Sequence, residues 1–350
     1  MKRWLSLLLL VALAALSAGA ARADGDKPMM MANWIVASMD TPLAGYALGS
    51  DIPRCDVGRI VFADSLEGRP ADAWDVSSAG DGSVWAWAAP FQYGLVELTI
   101  AGEGGVALNR DCFNLFGGYS ELLQIDFGGH VDTSSVTNMS FMFFNCKNLK
   151  QIDLSGFDTS KVTDMSAMFA GCESLKTLDV SALDTSRVKN MNHMFRSCEY
   201  LKKLDLSGFD TRRVTSMSAM FWGCDGLKEL DLSGLDTSKV TDMSSMFAFC
   251  EALKTLDLSA LDTSDAKDMC EMFYGCKSLK ELDLSGFDTS KVRNMDRMFA
   301  YCMALKQITL AQGFTDNLRK EPEDMFSNCK TRSLDDCQII QNDAEGETAA

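Results

Sequence analysis

Seven cysteines, Cys146, Cys172, Cys198, Cys224, Cys250, Cys276 and Cys302, recur at intervals of 26 residues, a spacing that raises three chemistries: cross-linking, metal binding and nucleophilic attack. Cross-linking needs Cα atoms about 5.5 Å apart and side chains turned toward each other. Equivalent positions on parallel elements point the same way instead. The column, with Cys329 after a one-residue insertion, is therefore expected to be reduced and buried as a small apolar side chain. Cys55, Cys112, Cys270 and Cys337 fall outside it, and a bridge between Cys329 and Cys337 stays open. Thiolate metal sites need close pairs such as C-x-x-C, which are missing, so no metal or other cofactor is expected. Nucleophilic catalysis needs a base and an orienting acid. Only His130 and His193 are available, and the spacing sets neither beside such a pair; AGDGS and AGEGG match no phosphate loop. An enzyme is not expected.

Carboxylates recur as well. Asp153, Asp179, Asp205, Asp231, Asp257 and Asp283 form one column, and Asp158 through Asp288 form a second. Unit charges about 4.8 Å apart repel by about 1 kcal/mol in water, and by more in a poorly solvated groove. The expected compensation is the column Lys150, Lys176, Lys202, Lys228, Lys254, Lys280 and Lys306, with serine and backbone donors. Divalent cations are the alternative, but no D-x-D-x-D-G calcium loop is present.

These columns belong to a repeat. Met139, Met165, Met191, Met217, Met243, Met269 and Met295 keep the same 26-residue interval, and one copy reads MSAMFAGCESLKTLDVSALDTSRVKN. Leu175, Leu178 and Val180 follow L-x-x-L-x-L, which predicts a short strand with alternate residues facing a core. Met165, Met168, Phe169 and Cys172 lie at i, i+3, i+4 and i+7, which predicts a two-turn helix. Asn138, Asp164, Asn190, Ser216, Asp242, Asp268 and Asn294 precede that segment, and each is a favoured helix N-cap. Asp-Thr-Ser after the strand predicts a turn. So small a unit buries its apolar faces only by stacking on its neighbours. The predicted fold is an α/β solenoid, curved, with parallel strands on the concave face, short helices on the convex face and an N-terminal capping segment.

The expected organisation has four parts. Residues 1–23 have the layout of a secretory signal peptide: Lys2 and Arg3, an apolar run, then Ala21, Arg22 and Ala23. Residues 24–94 lack the repeat and are expected to cap the stack, with short strands at 60–62 and 84–88 and with Trp74, Trp85 and Trp87 in the cap. Residues 95–335 form the solenoid, and 336–350 are an acidic tail. Secretion or surface display is expected, with no membrane insertion after cleavage. The chain has 350 residues, 47% of them apolar and 23% charged, which excludes a disordered chain, a collagen and a multi-span membrane protein. A formal charge of −16 argues against nucleic acid as partner, because phosphate recognition needs a basic footprint.

LDLSGFDTSKVTDMSSMF and the spacing M-x-x-M-F-x-x-C-x-x-L-x-x-L-D-L resemble the leucine-rich repeats of BspA-type bacterial surface proteins. The resemblance covers about residues 95–335, and AWDVSSAGDGSVWAWAAP resembles the leader of such arrays. It implies display or secretion and binding of proteins, in some members host matrix components, without catalysis.

Columns that vary between copies carry individual information. One is Gln151, Thr177, Lys203, Glu229, Thr255, Glu281 and Gln307 on the strand side, suited to a polar protein or glycan surface. The other, on the opposite side, places Trp222, Phe249, Tyr274 and Tyr301 in adjacent copies, as a candidate aromatic patch. The expected function is binding of an extracellular protein or glycan; the alternative is a scaffold that self-associates.

Overall fold

A computed structural model describes residue 30 and residues 47–340. The expected signal peptide, most of the stretch between 24 and 46, and residues 341–350 of the acidic tail lie outside the described residues. The strands are β1 (Val57–Ala63), β2 (Trp74–Asp75), β3 (Trp85–Pro90), β4 (Val96–Ala101), β5 (Val106–Ala107), β6 (Gln124–Asp126), β7 (Val131–Asp132), β8 (Gln151–Ile152), β9 (Glu281–Leu284), β10 (Gln307–Ala311) and β11 (Gln338–Ile340). The remainder is mostly turns. Three single-turn 3-10 helices occur among the described residues, and no α-helix does.

The predicted convex helices are therefore corrected. The segment Met165–Cys172 is a train of β-turns with Ala167 at φ 52° and Gly171 at φ 77°. The positive φ falls at the third position of turns closed by Met168 N–H to Met165 O at 3.3 Å and Cys172 N–H to Phe169 O at 3.1 Å, as type II turns require. Backbone accounting explains the preference. A helix of eight residues leaves its first four N–H groups without backbone partners and carries the full cost of nucleation. In the coil all eight N–H groups are satisfied. Those of Met165, Ala167, Phe169 and Gly171 reach Asn190, Asn192, Met194 and Arg196 carbonyls in the next copy at 2.7–3.1 Å. Those of Met168, Ala170 and Cys172 close turns, and Ser166 N–H donates to Asp164 Oδ1 at 2.8 Å. The same bonds recur in the other copies, so each copy is sewn to the next.

The predicted cap column keeps its acceptor role without a helix. Asn138, Asp164, Asp242 and Asp268 accept the N–H two residues on, at 2.8–3.0 Å. Where the column holds Ser216, the Oδ1 of Asn192 in the preceding copy takes the N–H of Ser218 instead, at 3.0 Å. Asp111, Asn138 and their equivalents through Asn294 form consecutive parallel bridges.

Side chains complete the stitching. Phe143, Phe169, Phe195, Phe221, Phe247, Phe273 and Phe299 are fully buried, with successive rings near parallel and 5.5–6.1 Å apart. The hydroxyls of buried Thr159, Thr185, Thr211, Thr237 and Thr263 donate to the next copy's aspartate carbonyl at 2.8–3.1 Å. All twelve cysteines are free thiols. The seven from Cys146 to Cys302 donate S–H to the phenylalanine carbonyl of the preceding copy, as Cys250 does to Phe221 at 3.1 Å, while Cys329 donates to Cys302 O. Burial pushes Cys146, Cys224 and Cys276 up to about 12, which keeps them protonated.

The leucine side is less regular. β8 pairs with β6, and β10 pairs with β9 and β11, all parallel. Between these ends, residues 177–180, 203–206, 229–232 and 255–258 carry no ladder among the described residues, although Leu178, Val180, Leu204 and Leu206 are buried. L-x-x-L-x-L reports burial, which is non-directional, and burial alone does not bring strands to pairing distance.

In the leader, the expected strands at 60–62 and 84–88 fall within or across β1 and β3. The sheet order is β2-β3-β4-β1-β6-β8, so β1 enters between β4 and β6, parallel to both. Leu98 and Ile100 on β4 therefore do not stack on β6 directly. Arg54, just before β1, is buried at this junction: its Nη1 donates to Gly117 O, and its guanidinium lies 5.2 Å from the Tyr119 ring centroid. Trp74 and Trp85 are half-buried; Trp74 Nε1 donates to Leu48 O at 3.1 Å, and Arg69 stacks 3.8 Å over Trp85.

Candidate binding surface

Two residues separate the buried phenylalanine from the buried cysteine in each copy, and the large side chains among them from Arg196 to Tyr301 are only partly buried. From residue 222 onward the copies alternate: in two of them the first is aromatic and the second glycine, Trp222-Gly223 and Tyr274-Gly275. In the intervening copies the first is alanine and the second aromatic, as in Ala248-Phe249 and Ala300-Tyr301. The alternation brings the rings into one row. Trp222 and Phe249 centroids are 5.0 Å apart, Phe249 and Tyr274 5.1 Å, and Tyr274 and Tyr301 5.2 Å, all edge-on or tilted. Such contacts contribute beyond area burial. Trp222, Phe249 and Tyr274 are half-buried, and Tyr301 is 38% exposed.

The row extends one copy further than the sequence reading placed it. The Arg196 guanidinium lies 4.4 Å over the Trp222 ring. Arg196 occupies the same column as Trp222, so the signal was present, but a charged residue does not announce a stacking partner.

Phe249 and Tyr301 carry φ of 58° and 62°. Bulky residues are rare there and cost about 1–2 kcal/mol. Equivalent positions hold Gly171, Gly223 and Gly275, or Asn145, Ser197 and Asn328. The ring row is kept against a local backbone penalty, and strain of this kind collects at functional positions.

Two positions beyond the row lies a second ladder: Lys147, Glu173, Glu199, Asp225, Glu251 and Lys277. Lys147 pairs with Glu173 at 3.0 Å, and Lys277 pairs with Glu251. Glu199 and Asp225, in the middle, have no ion pair among the described residues. Burial and the neighbouring Glu251 and Glu199 push the Asp225 carboxyl up to about 6.

The other predicted column, Gln151, Thr177, Lys203, Glu229, Thr255, Glu281 and Gln307, is exposed along its length on the leucine side. Thr255, Glu281 and Gln307 line one shallow cleft with Asp257 and Asp283. Of the compensation expected for the aspartate columns, the serine and backbone donors are present and the lysine ion pairs are not. Ser155, Ser181, Ser207, Ser233, Ser259 and Ser285 N–H groups donate to the aspartate two residues before, at 2.9–3.0 Å. Those serines, through N–H and hydroxyl, hold the carboxyls below their ordinary range. The lysine column forms no ion pair with them among the described residues. His193 Nδ1 is buried without a partner, and burial, then Arg196, lowers its pKa. His130 Nδ1 lies 3.4 Å from Asp64 Oδ2 in the leader. Among the described residues, no three His, Cys, Asp or Glu are grouped to hold a metal ion, and no helix is long and apolar enough to cross a membrane.

Residues 110–230 and 223–337 each match the family described as "Mycoplasma protein of unknown function, DUF285". The chain belongs to this family. The two matches together cover the turn train from the Cys112 coil to the last, so the aromatic row and the acidic ladder both lie within the DUF285 region, while the leader before residue 110 falls outside it. A comparison with curated proteins finds no match.

Proposed function

We propose that this DUF285 protein is an exported array, related to BspA-type leucine-rich-repeat surface proteins, that binds an extracellular protein or glycan through the side of its stack and catalyses no reaction. The observation that carries the reading is the row Arg196, Trp222, Phe249, Tyr274, Tyr301: contiguous, partly exposed and strained at two of its members. Aromatic and arginine side chains are the residues most enriched at binding hot spots. The signal-peptide layout of residues 1–23 and the motif resemblance support display outside the cell; the buried thiols of the column suit a core role in such an array. The exposed strand-side column is the second candidate surface.

The test is a screen of the purified protein against extracellular matrix proteins and glycans, repeated with Trp222→Ala/Tyr274→Ala. Loss of the hit with unchanged circular dichroism supports the row. Retained binding moves the site to the strand-side column. Self-association is the second reading, favoured by β11, a terminal strand with Ile339 half exposed. A strict monomer in light scattering at high concentration rejects it.

A further inference from the structure

We infer that the aromatic row and the acidic ladder beside it form one docking strip for a basic polypeptide segment, whose arginine or lysine side chains stack on the rings while their charge meets Glu199 and Asp225. The inference rests on the binding reading above and names its partner class.

Three features of the strip select this occupant. The first is that the row already holds one guanidinium of the required kind: Arg196 sits 4.4 Å over Trp222. The remaining rings continue in the same line at intervals of 5.0–5.2 Å and present part of their surface outward. Aromatic faces carry negative potential and attract cations, guanidinium most often. A second guanidinium arriving from solvent meets the surface that the protein's own Arg196 uses.

Charge supplies the next feature. The flanking ladder runs parallel to the row, and its outer acids are neutralised by Lys147 and Lys277. Its two central acids form no ion pair among the described residues, and at Asp225 the neighbouring Glu251 and Glu199 outweigh the one cation in reach, Lys277. A cation bound there relieves a repulsion that the fold leaves in place, whereas a neutral glycan does not. The whole chain, at −16, draws basic partners toward it.

The last feature is the rim. Tyr200, next in sequence to Glu199, is 59% exposed at one end of the strip, and Met303, whose N–H donates to Tyr301 O at 3.0 Å, is 50% exposed at the other. Each leaves apolar surface in water at its end of the strip, suited to the aliphatic stems of lysine and arginine.

The experiment titrates the full chain with a fluorescent oligoarginine peptide by anisotropy. Two double variants remove equal charge: Glu199→Gln/Asp225→Asn in the strip, and Glu67→Gln/Glu321→Gln at exposed positions outside both candidate surfaces. The strip variant should weaken peptide binding about tenfold and the control at most about twofold. No binding by the unaltered chain, or equal losses in both variants, overturns the inference, because the second result is non-specific attraction. Trp222→Ala/Tyr274→Ala separates the levels. If the aromatic variant loses affinity and the acidic one does not, the row binds but the partner is not chosen by charge. If the acidic variant loses affinity and the aromatic one does not, the row is not the binding surface and both readings fall.

Discussion

The Phe249 ring lies over Gly275 of the next copy so closely that a Cβ on Gly275 would sit 3.0 Å from the ring. Gly275 also has φ of 72°, so a side chain there meets a backbone penalty as well as a steric one. The glycine is thus what lets the ring at position 249 sit against the next copy and meet Tyr274 edge-on.

Gly275→Ala should destabilise the chain by about 1–2 kcal/mol and displace the Phe249 ring. Gly286→Ala, where φ is ordinary and a Cβ meets nothing within 4 Å, should change stability little. Urea midpoints for the two variants check this. Equal effects would show that position 275 has no special geometry.

Asp225 makes stability depend on pH in an uncommon direction. Its folded pKa, pushed up to about 6 by burial and then by Glu251 and Glu199, exceeds the ordinary carboxyl value near 3.8. The folded chain therefore holds more protons than the unfolded one between about pH 4 and 6, and stability falls as pH rises through that window. The penalty is complete above pH 6. Asp225→Asn should stabilise the protein by about 1 kcal/mol at pH 7.5, a figure reduced for solvent screening at this surface position, and should give no gain at pH 4. Urea unfolding at both pH values checks it; an equal gain at both would remove the charge explanation.

How much of this was legible from the residues depends on what a pattern encodes. Met165, Met168, Phe169 and Cys172 are all buried, as their spacing requires. Yet i, i+3, i+4, i+7 describes the interior-facing positions of a helix and of this turn train alike, and only the positive φ at Ala167 distinguishes them. Alanine gives no warning of that conformation; Gly171, Gly223 and Gly275 do, but glycine is absent at the same position in Asn145 and Phe249. The cap column was legible because a side-chain acceptor two residues before an N–H serves a turn as well as a helix. Insertion of β1 between β4 and β6 was not, because pairing order across a long crossover leaves no local trace. The ring row was legible as a column; its partner Arg196 was not.

Between copies, the threonine ladder should be energetically distinct from the aspartate turns. Thr237 is fully buried, and its hydroxyl donates to Asp262 O at 2.8 Å. Thr237→Val keeps the shape and removes the donor, which should cost about 1–2 kcal/mol. Asp231→Asn, at an exposed turn where the amide oxygen still accepts Ser233 N–H, should cost less than about 0.5 kcal/mol. Chemical denaturation of both variants checks the order, and a reversal would place the inter-copy stabilisation on the surface.

Two substitutions decide between turn train and helix, because they change sign. Ala219 has φ of 52° and Gly223 φ of 69°. In a helix, Ala219→Gly would destabilise by about 1 kcal/mol and Gly223→Ala would stabilise by a similar amount. In the turn train, glycine at 219 relieves a left-handed residue, a gain of about 1–2 kcal/mol against about 0.5–1 kcal/mol of added unfolded-chain entropy, so stability should be unchanged or slightly higher. Alanine at 223 meets its nearest neighbour, Ser197, only at 3.4 Å, so its cost is the backbone conformation alone, about 1 kcal/mol. The paired unfolding measurement therefore reads the backbone directly: a loss with Ala219→Gly together with a gain with Gly223→Ala would restore the helix and remove the left-handed position on which the Phe249 and Tyr301 rings depend.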